Sequence, residues 1–249
     1  MLLRVDRLLV KPAPTALLKI VQDLSEFLQK LSICDLKSEM ITTSTLAEQR
    51  TVLHNVSWQT FEALLKETGE DRGSRFAYDG GTLEIMTPLF GHENPKIQFD
   101  RFIVALAEEL EIEIKSAGSM TLKRKATNRG IEPDNCYYIQ TEPTVRGRQE
   151  LDLETDPPPD LAIEIDITSS SVNKSGIYSA LGVPELWRYN GRVLKFYHLA
   201  EGQYVECEFS IAFPLVSVTE MSRFIEQSKT TGEIALLKSF RAWVIDKIA

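Results

Sequence analysis

A pair of carboxylates followed by a lysine has the residue types and the spacing of a metal-dependent hydrolytic site. Glu164 and Asp166 occupy alternate positions of the segment 161–167. In a β-strand they would therefore point to the same face, about 7 Å apart. Carboxylate oxygens are the ligands that Mg²⁺ prefers, and a bound cation polarises a phosphoryl oxygen and lowers the pKa of an attacking water. Lys174, further along the chain, could orient that water or stabilise the charge that develops on phosphorus.

Two further acids could complete such a site. Asp134 stands at the entrance of the aromatic, β-prone segment 135–140, and Glu93 precedes a long segment of helical periodicity. Acids on neighbouring strands and a lysine on the following helix can converge, so the set is compatible with one metal centre. A plainer interpretation stays open, because Glu164 and Asp166 would also fit the solvated face of an edge strand.

The hydrophobic pattern predicts the elements that hold these residues. The aliphatic side chains of 161–167 share one parity, which indicates a strand with one apolar face. The polar run 168–171 supplies hydroxyls suited to capping a helix, and that helix would have Lys174 near its start. Gly182 would end the helix, and a second strand is predicted at 185–189.

The rest of the chain alternates between helical and strand periodicity. Ser57 is suited to cap a helix whose buried face includes Trp58 and Phe61, and Asp79-Gly80-Gly81 is a hairpin signal. The pattern predicts strands at 75–78, 82–86, 111–116, 120–125, 135–140, 192–199 and 203–209, helices at 96–110, 219–228 and 233–248, and loops at 88–95, 126–133 and 141–159. This order predicts an α/β (α+β) fold built around a mixed β-sheet.

The beginning of the chain differs in pattern from the remainder. Residues 1–39 contain an apolar stripe at helical spacing, which predicts a helical N-terminal extension. Met40 then opens a polar stretch typical of a free N-terminus. Either Met40 is the biological start, or the extension is genuine and packs on the body or on a partner. Residues 40–249 are expected to form one domain, because no linker clearly divides them.

Composition narrows the class of protein. The net charge of −8 argues against a wholly basic nucleic-acid coat, although it is compatible with a local basic groove. The three cysteines are isolated, which favours a reducing cytosol, and no apolar run approaches the roughly 20 residues of a membrane span. We therefore expect a cytoplasmic protein. A group of basic residues could position phosphates, or could simply be a solvated loop: Lys123, Arg124, Lys125, Arg129, Arg146 and Arg148.

Several motifs in order give the chain a resemblance to a known family. They are A-Y-D-G-G-T-L-E-I-M, G-H-E-N-P, S-A-G-S-M-T-L-K, I-E-P-D, P-D-L-A-I-E-I-D with T-S-S-S, and G-V-P-E-L-W. Together they resemble the Uma-two family of restriction endonucleases, within the PD-(D/E)XK nuclease superfamily, over residues 40–249. The resemblance implies a restriction-endonuclease-like core, with a central mixed β-sheet flanked by helices. It also implies Mg²⁺-dependent cleavage of DNA phosphodiesters, with Mn²⁺ as a substitute.

The resemblance assigns roles to individual residues. Asp134 matches the aspartate of the P-D motif and Glu164 the glutamate of E-x-K, so both are expected to be catalytic and to bind metal. Asp166 stands where the superfamily usually carries lysine, which makes it an additional candidate ligand and moves the lysine's role to Lys174. Glu93 matches an acidic position that some members use as an extra ligand. His92 is a candidate for a substrate contact.

Other functions are compatible with the sequence. Asp166 at the usual lysine position and the acidic net charge would also suit a nuclease-fold protein that binds nucleic acid or a protein partner without cutting. A glycosidase with paired carboxylates is disfavoured, because few aromatic residues flank the strand. A homodimer, with a seam at Leu186-Trp187 and the C-terminal helices, would bring two sites to the two strands of DNA.

Overall fold

A computed structural model of the chain describes residues 41–44, 48–69 and 72–249, and the predicted extension at 1–39 lies outside them. The strands are β1 (Ile41–Ser44), β2 (Glu48–Leu53), β3 (Arg75–Asp79), β4 (Thr82–Pro88), β5 (Lys115–Ser116), β6 (Leu122–Arg124), β7 (Arg129–Ile131), β8 (Asn135–Tyr138), β9 (Leu161–Ile165), β10 (Glu185–Tyr189), β11 (Leu194–Ala200) and β12 (Gln203–Cys207). The α-helices are α1 (Trp58–Thr68), α2 (Phe90–Glu109), α3 (Glu142–Val145), α4 (Lys174–Leu181), α5 (Val218–Gln227) and α6 (Glu233–Ile248).

The described strands form two sheets of six strands each. The first sheet has the order β1-β2-β4-β3-β7-β6, and its paired strands are all antiparallel. The second has the order β12-β11-β10-β9-β8-β5 and is mixed, because β9 and β10 run parallel. Parallel neighbours need a crossover, and α4 provides it. The predicted mixed sheet flanked by helices is confirmed, and the antiparallel sheet is an addition to it.

Strand β9 is buried on both faces. Ile163 and Ile165 point into a core that also contains Phe99 of α2 and Trp187 of β10. Ala162 points to the opposite face, into a second cluster that includes Ile177 and Leu181 of α4. The five residues of β9 are all buried, and the strand lies between β8 and β10. Its interpretation as a solvated edge strand is therefore wrong.

Strand β10 is equally interior. Leu186 and Trp187 are fully buried, and Trp187 stacks on Phe196 of the neighbouring strand with ring centroids 4.1 Å apart. A dimer cannot pack on side chains that the core already covers, so the predicted seam at Leu186-Trp187 is wrong. Among the helices of the described chain, none is long and apolar enough to cross a membrane.

The predicted loop at 88–95 is helical. Helix α2 begins at Phe90 and carries Pro95 inside it. Proline removes one backbone hydrogen bond there, but tertiary contacts hold the turn: His92 is fully buried, and Asn135 Nδ2 donates to the Lys96 carbonyl at 3.0 Å. The polar stretch after Met40 is part of the first sheet rather than an unpaired terminal segment, because residues 41–44 form β1 and pair with β2.

Candidate active site

Two carboxylates meet across an antiparallel strand pair. Asp134 immediately precedes β8, and the pairing of Asn135 with Ile163 places Asp134 opposite Glu164 of β9. Side chains directly opposite on one sheet face are close neighbours. Asp134 is 2% exposed and Glu164 is 1% exposed, and the Ile165 N–H donates to Asp134 Oδ2 at 2.7 Å. The predicted convergence of these two acids is therefore present in the structure.

Lys174 is the first residue of α4 and reaches both carboxylates of the β9 segment. Its Nζ donates to Glu164 Oε2 and, at 3.1 Å, to Asp166 Oδ1. A positive charge at a helix N-terminus interacts unfavourably with the helix dipole. The two carboxylates offset this repulsion by pairing with the ammonium. The side chain is 7% exposed, which makes the ion pair an interior one.

The sequence just before Lys174 sets where the helix begins. The Asn173 side chain, rather than a hydroxyl of 168–171, caps α4 by accepting from the Gly176 N–H at 3.0 Å. A Cβ at Gly176 would lie 2.8 Å from Asn173 Nδ2. Glycine therefore permits the close cap, and the cap fixes Lys174 at the first turn.

Asp166 lies just past the end of β9 and forms ion pairs with two cationic side chains, Lys174 and Arg188. Its backbone N–H donates to the Tyr189 carbonyl at 2.8 Å, which continues the parallel pairing with β10. Its Oδ1 accepts a hydrogen bond from Lys174 Nζ, and its Oδ2 accepts one from Arg188 Nε at 2.9 Å. Arg188 also donates to Ser175 Oγ at 3.2 Å. Asp166 thus links the start of α4 to the neighbouring strand.

Tyr178 lies on the buried face of α4 and contacts Glu164. Its hydroxyl donates to Glu164 Oε1, and the side chain is fully buried. Since Lys174 holds Oε2, both oxygens of Glu164 are bonded. The 3.6-residue period that puts Tyr178 on the buried face of α4 gave no indication of its polar role, which depends on the opposing strand.

The first turn of α2 brings a histidine, rather than the predicted glutamate, against Asp134. His92 is fully buried, with Nε2 3.4 Å from Asp134 Oδ2. The side chain of Glu93 is 35% exposed, so it lies nearer the surface than His92. Its described ionic contacts are with Lys96 at 3.5 Å and with His92 Nδ1 at 3.9 Å. Glu93 as a metal ligand remains a prediction.

The environment of the cluster shifts the pKa values of its carboxyl groups in different directions. Burial raises the pKa of Glu164 to about 7, assisted by the charges of Asp134 and Asp166 and opposed by Lys174. Burial acts in the same direction on Asp134, but His92 and Lys174 outweigh it and lower the pKa. The pKa of Asp166 is also lowered, because Lys174 and Arg188 outweigh its burial. Near neutral pH, Glu164 is thus the group that exchanges a proton.

We expect this shift to make stability depend on pH. The folded protein binds the Glu164 proton more tightly than the unfolded chain does, so the resulting stability is full below about pH 4.5 and is lost as the pH rises through about 7. In EDTA, the free energy of unfolding of the wild type should fall by about 3 kcal/mol relative to Glu164→Gln between about pH 5 and about pH 8. Urea denaturation of both proteins measures this difference, and parallel pH curves would contradict it.

A second buried ion pair lies beside the cluster. Arg50 of β2 pairs with Glu84 of β4, and their side chains are 3% and 1% exposed. Glu84 accepts from Ser170 Oγ at 2.9 Å and from the Ser171 N–H at 2.6 Å, while Arg50 Nε donates to Thr168 Oγ1 at 3.1 Å. The first sheet thereby holds the segment that connects Glu164 to Lys174. Nothing in the local pattern of either strand indicated this contact.

The basic residues expected near the site are mostly paired with acids. Lys123 contacts Glu62 at 2.7 Å, and Arg129 contacts Asp79 at 2.7 Å. Two more pairs are Arg146–Glu142 at 2.7 Å and Arg148–Asp156 at 2.5 Å, and Arg124 donates to the carbonyls of Leu153 and Ala180. The Lys123–Glu62 pair is exposed on both sides and therefore weak, about 0–1 kcal/mol, so a phosphate can compete for Lys123. The carboxylates of Glu142 and Asp156 are only 5% and 8% exposed, so their arginines are held more firmly.

The donor set suits a hard divalent cation, although its oxygens are already bonded. Asp134, Glu164 and Asp166 offer carboxylate oxygens, which Mg²⁺ and Mn²⁺ accept. Within the described residues, no group of three or more His, Cys, Asp or Glu side chains is arranged to hold a metal ion. The ammonium of Lys174 lies between Glu164 and Asp166 instead.

Comparison with known families places this cluster inside one matched segment. Residues 58–228 match the family model Uma2, described as "Putative restriction endonuclease". The segment contains Glu93, Asp134, Glu164, Asp166 and Lys174. No curated protein matches the chain.

Proposed function

Because the chain belongs to the Uma2 family of the restriction-endonuclease-like superfamily, we propose that it is a metal-dependent endonuclease that hydrolyses DNA phosphodiester bonds. The family points to a nuclease. The observation that carries the proposal is the interior cluster in which Lys174 bonds to Glu164 and Asp166, with Asp134 opposite Glu164 at the entrance of the neighbouring strand. Buried charges cost free energy unless they are paired, and such clusters are concentrated at functional sites.

The carboxylates of the cluster are the type of ligand that the cation of this reaction needs. Asp134 and Glu164 would hold Mg²⁺ or Mn²⁺, with Asp166 as a further oxygen ligand and Glu93 as a more distant candidate. The cation, when bound, would polarise a phosphoryl oxygen and lower the pKa of a water molecule. Glu164, with a pKa raised to about 7, can also accept a proton at Oε1 or Oε2 near neutral pH.

Lys174 would act through its positive charge. Burial lowers the pKa of its ammonium, but the charges of Glu164, Asp166 and Asp134 outweigh burial and raise the pKa above its ordinary value. The ammonium therefore stays protonated throughout the pH range of the reaction and is a hydrogen-bond donor rather than a general base. In that form it can stabilise the negative charge that builds on the phosphoryl group.

DNA is the proposed partner, in the cytoplasm. The exposed guanidinium groups of Arg146 and Arg148 could contact backbone phosphates while they stay paired with Glu142 and Asp156. Cys136 is a free, fully buried thiol, which suits a reducing compartment. A homodimer would present two sites to the two strands of the duplex.

A second candidate is a nuclease-fold protein that binds nucleic acid or a protein without cutting. The bonds that occupy both oxygens of Glu164 favour it, since a site without metal chemistry would keep its charges paired in this way. Calorimetric titration with Mg²⁺ separates the two functions. A saturable site that is lost in an Asp134/Glu164 double variant favours the enzyme.

The direct test is cleavage of supercoiled plasmid DNA by the purified full-length chain. We expect nicking or linearisation with Mg²⁺ or Mn²⁺ and none in EDTA. Asp134→Asn should abolish it, because the amide keeps the size but removes the charge that faces the cation. Asp246→Asn, at an exposed aspartate of α6, is the matched control and should cleave normally. Cleavage in EDTA or by Asp134→Asn would refute the proposed reaction.

A further inference from the structure

We propose that Lys174 occupies the cation position of the carboxylate cluster in the metal-free protein, so that its ammonium and a divalent cation compete for the same oxygen atoms. The inference rests on the metal dependence of the proposed function and adds a control step to it. The Lys174 ammonium is then the counter-ion of the carboxylates in the metal-free protein, and it must move away before they can bind a divalent cation.

The first support is the set of contacts around the ammonium. Nζ of Lys174 bonds to Glu164 Oε2 and lies 3.1 Å from Asp166 Oδ1. The second oxygen of each acid is also held, by the Tyr178 hydroxyl and by Arg188. These outer donors leave the space between the two acids to the ammonium, so a cation that bridges Glu164 Oε2 and Asp166 Oδ1 must take the place of Lys174 Nζ.

The second support is burial. The side chains of Glu164 and Lys174 are 1% and 7% exposed, so water screens their charges little. An ammonium and a divalent cation in the same buried space would repel each other strongly. Coexistence is therefore unfavourable, and the free energy of displacing Lys174 subtracts from the free energy of metal binding.

The third support is that Lys174 can withdraw while the fold persists. It is the first residue of α4, where the Asn173 cap rather than the lysine side chain holds the helix turn. Its stem is a flexible four-carbon chain. Arg188 is different, because its guanidinium is anchored on Asp166 by two nitrogens at 2.9 Å and also reaches Ser175. Of the two cations, Lys174 is therefore the one that can leave its acids without breaking a hydrogen bond to another element of the fold.

The test is calorimetric titration of Mn²⁺ into the metal-free full-length protein at about pH 8.5, where the carboxylates are ionised. Lys174→Met should bind Mn²⁺ at least about tenfold more tightly than the wild type, which is about 1.4 kcal/mol. Arg188→Met is the matched control, because it removes a positive charge from the same acid without vacating the space between Glu164 and Asp166. It should change the affinity by less than about threefold.

Thermal denaturation provides a second measurement. In EDTA, Lys174→Met should melt below the wild type, because three buried carboxylates have lost their central counter-ion. Saturating Mn²⁺ should raise its melting temperature more than it raises that of the wild type. If Lys174→Met does not fold in EDTA, Lys174→Gln, which keeps a polar side chain, is measured in the same way.

The outcomes separate this inference from the proposed reaction. Affinity for Mn²⁺ that is unchanged or weaker in Lys174→Met, an equal gain in Arg188→Met, or no binding by either protein would overturn the competition. If the wild type cleaves DNA but Lys174→Met gains no affinity, only the competition fails. If Lys174→Met gains affinity and the wild type does not cleave, the competition stands and the proposed reaction fails.

Discussion

Glu164→Gln is expected to lower metal-dependent DNA cleavage by about 1000-fold or more, which is about 4 kcal/mol of lost transition-state stabilisation. The amide has the same shape: its oxygen can accept from Lys174, and its NH2 group can donate to the Tyr178 hydroxyl oxygen, so the local structure should persist. It loses the negative charge that would hold the cation and cannot take up a proton near neutral pH. The measurement is the single-turnover rate on plasmid DNA at saturating Mn²⁺.

Glu185→Gln is the matched control for that experiment. Glu185 is also a buried glutamate, 1% exposed, on the strand next to β9. Its oxygens bind Trp187 Nε1 and the N–H groups of Ile211 and Ala212, outside the cluster. We expect the folded variant to cleave at close to the wild-type rate. A loss of similar size in both variants would indicate structural damage, and a normal rate in Glu164→Gln would exclude Glu164 from the reaction.

Arg50→Met is expected to have the largest effect on stability, a loss of about 3–5 kcal/mol in the free energy of unfolding. The substitution leaves Glu84 buried with its charge no longer balanced by a cation. It also removes the donor to Thr168, which loosens the segment leading to Lys174. Chemical denaturation at neutral pH measures the loss, and cleavage per folded molecule should fall as well.

Two further variants define the origin of this loss. Adding Glu84→Gln to Arg50→Met removes the unbalanced charge and should restore part of the stability. Arg223→Met breaks the exposed pair with Glu220 and should cost no more than about 0.5 kcal/mol. If Arg50→Met itself cost less than about 1 kcal/mol, the buried pair would not be what holds the segment 168–171.

The sequence by itself determined the elements whose pattern is local. Strand β10 was predicted at the residues where it forms, as was helix α6, and the hairpin of β3 and β4 closes at Asp79 as expected. Periodicities of 2 and 3.6 residues follow from the geometry of the chain, so they can be seen without a tertiary structure. The alternation of Glu164 and Asp166 on the strand, with Lys174 at the start of the following helix, likewise predicted that these three side chains lie close together.

Only the tertiary structure decided which other side chains complete the cluster. Arg188 reaches Asp166 because β9 and β10 pair in parallel, and His92 reaches Asp134 because α2 begins before Pro95. Tyr178 acts as a hydrogen-bond donor because the fold places Glu164 opposite its hydroxyl group.

The Arg50–Glu84 pair depends on contacts with residues that are distant in the sequence. Arg50 is separated by 118 positions from Thr168, and Glu84 by 86 from Ser170. Local periodicity carries no information about partners at such distances, because sheet order and register bring them together. The sequence therefore identified the acids and the lysine of the candidate site, whereas the fold decided how their charges are balanced.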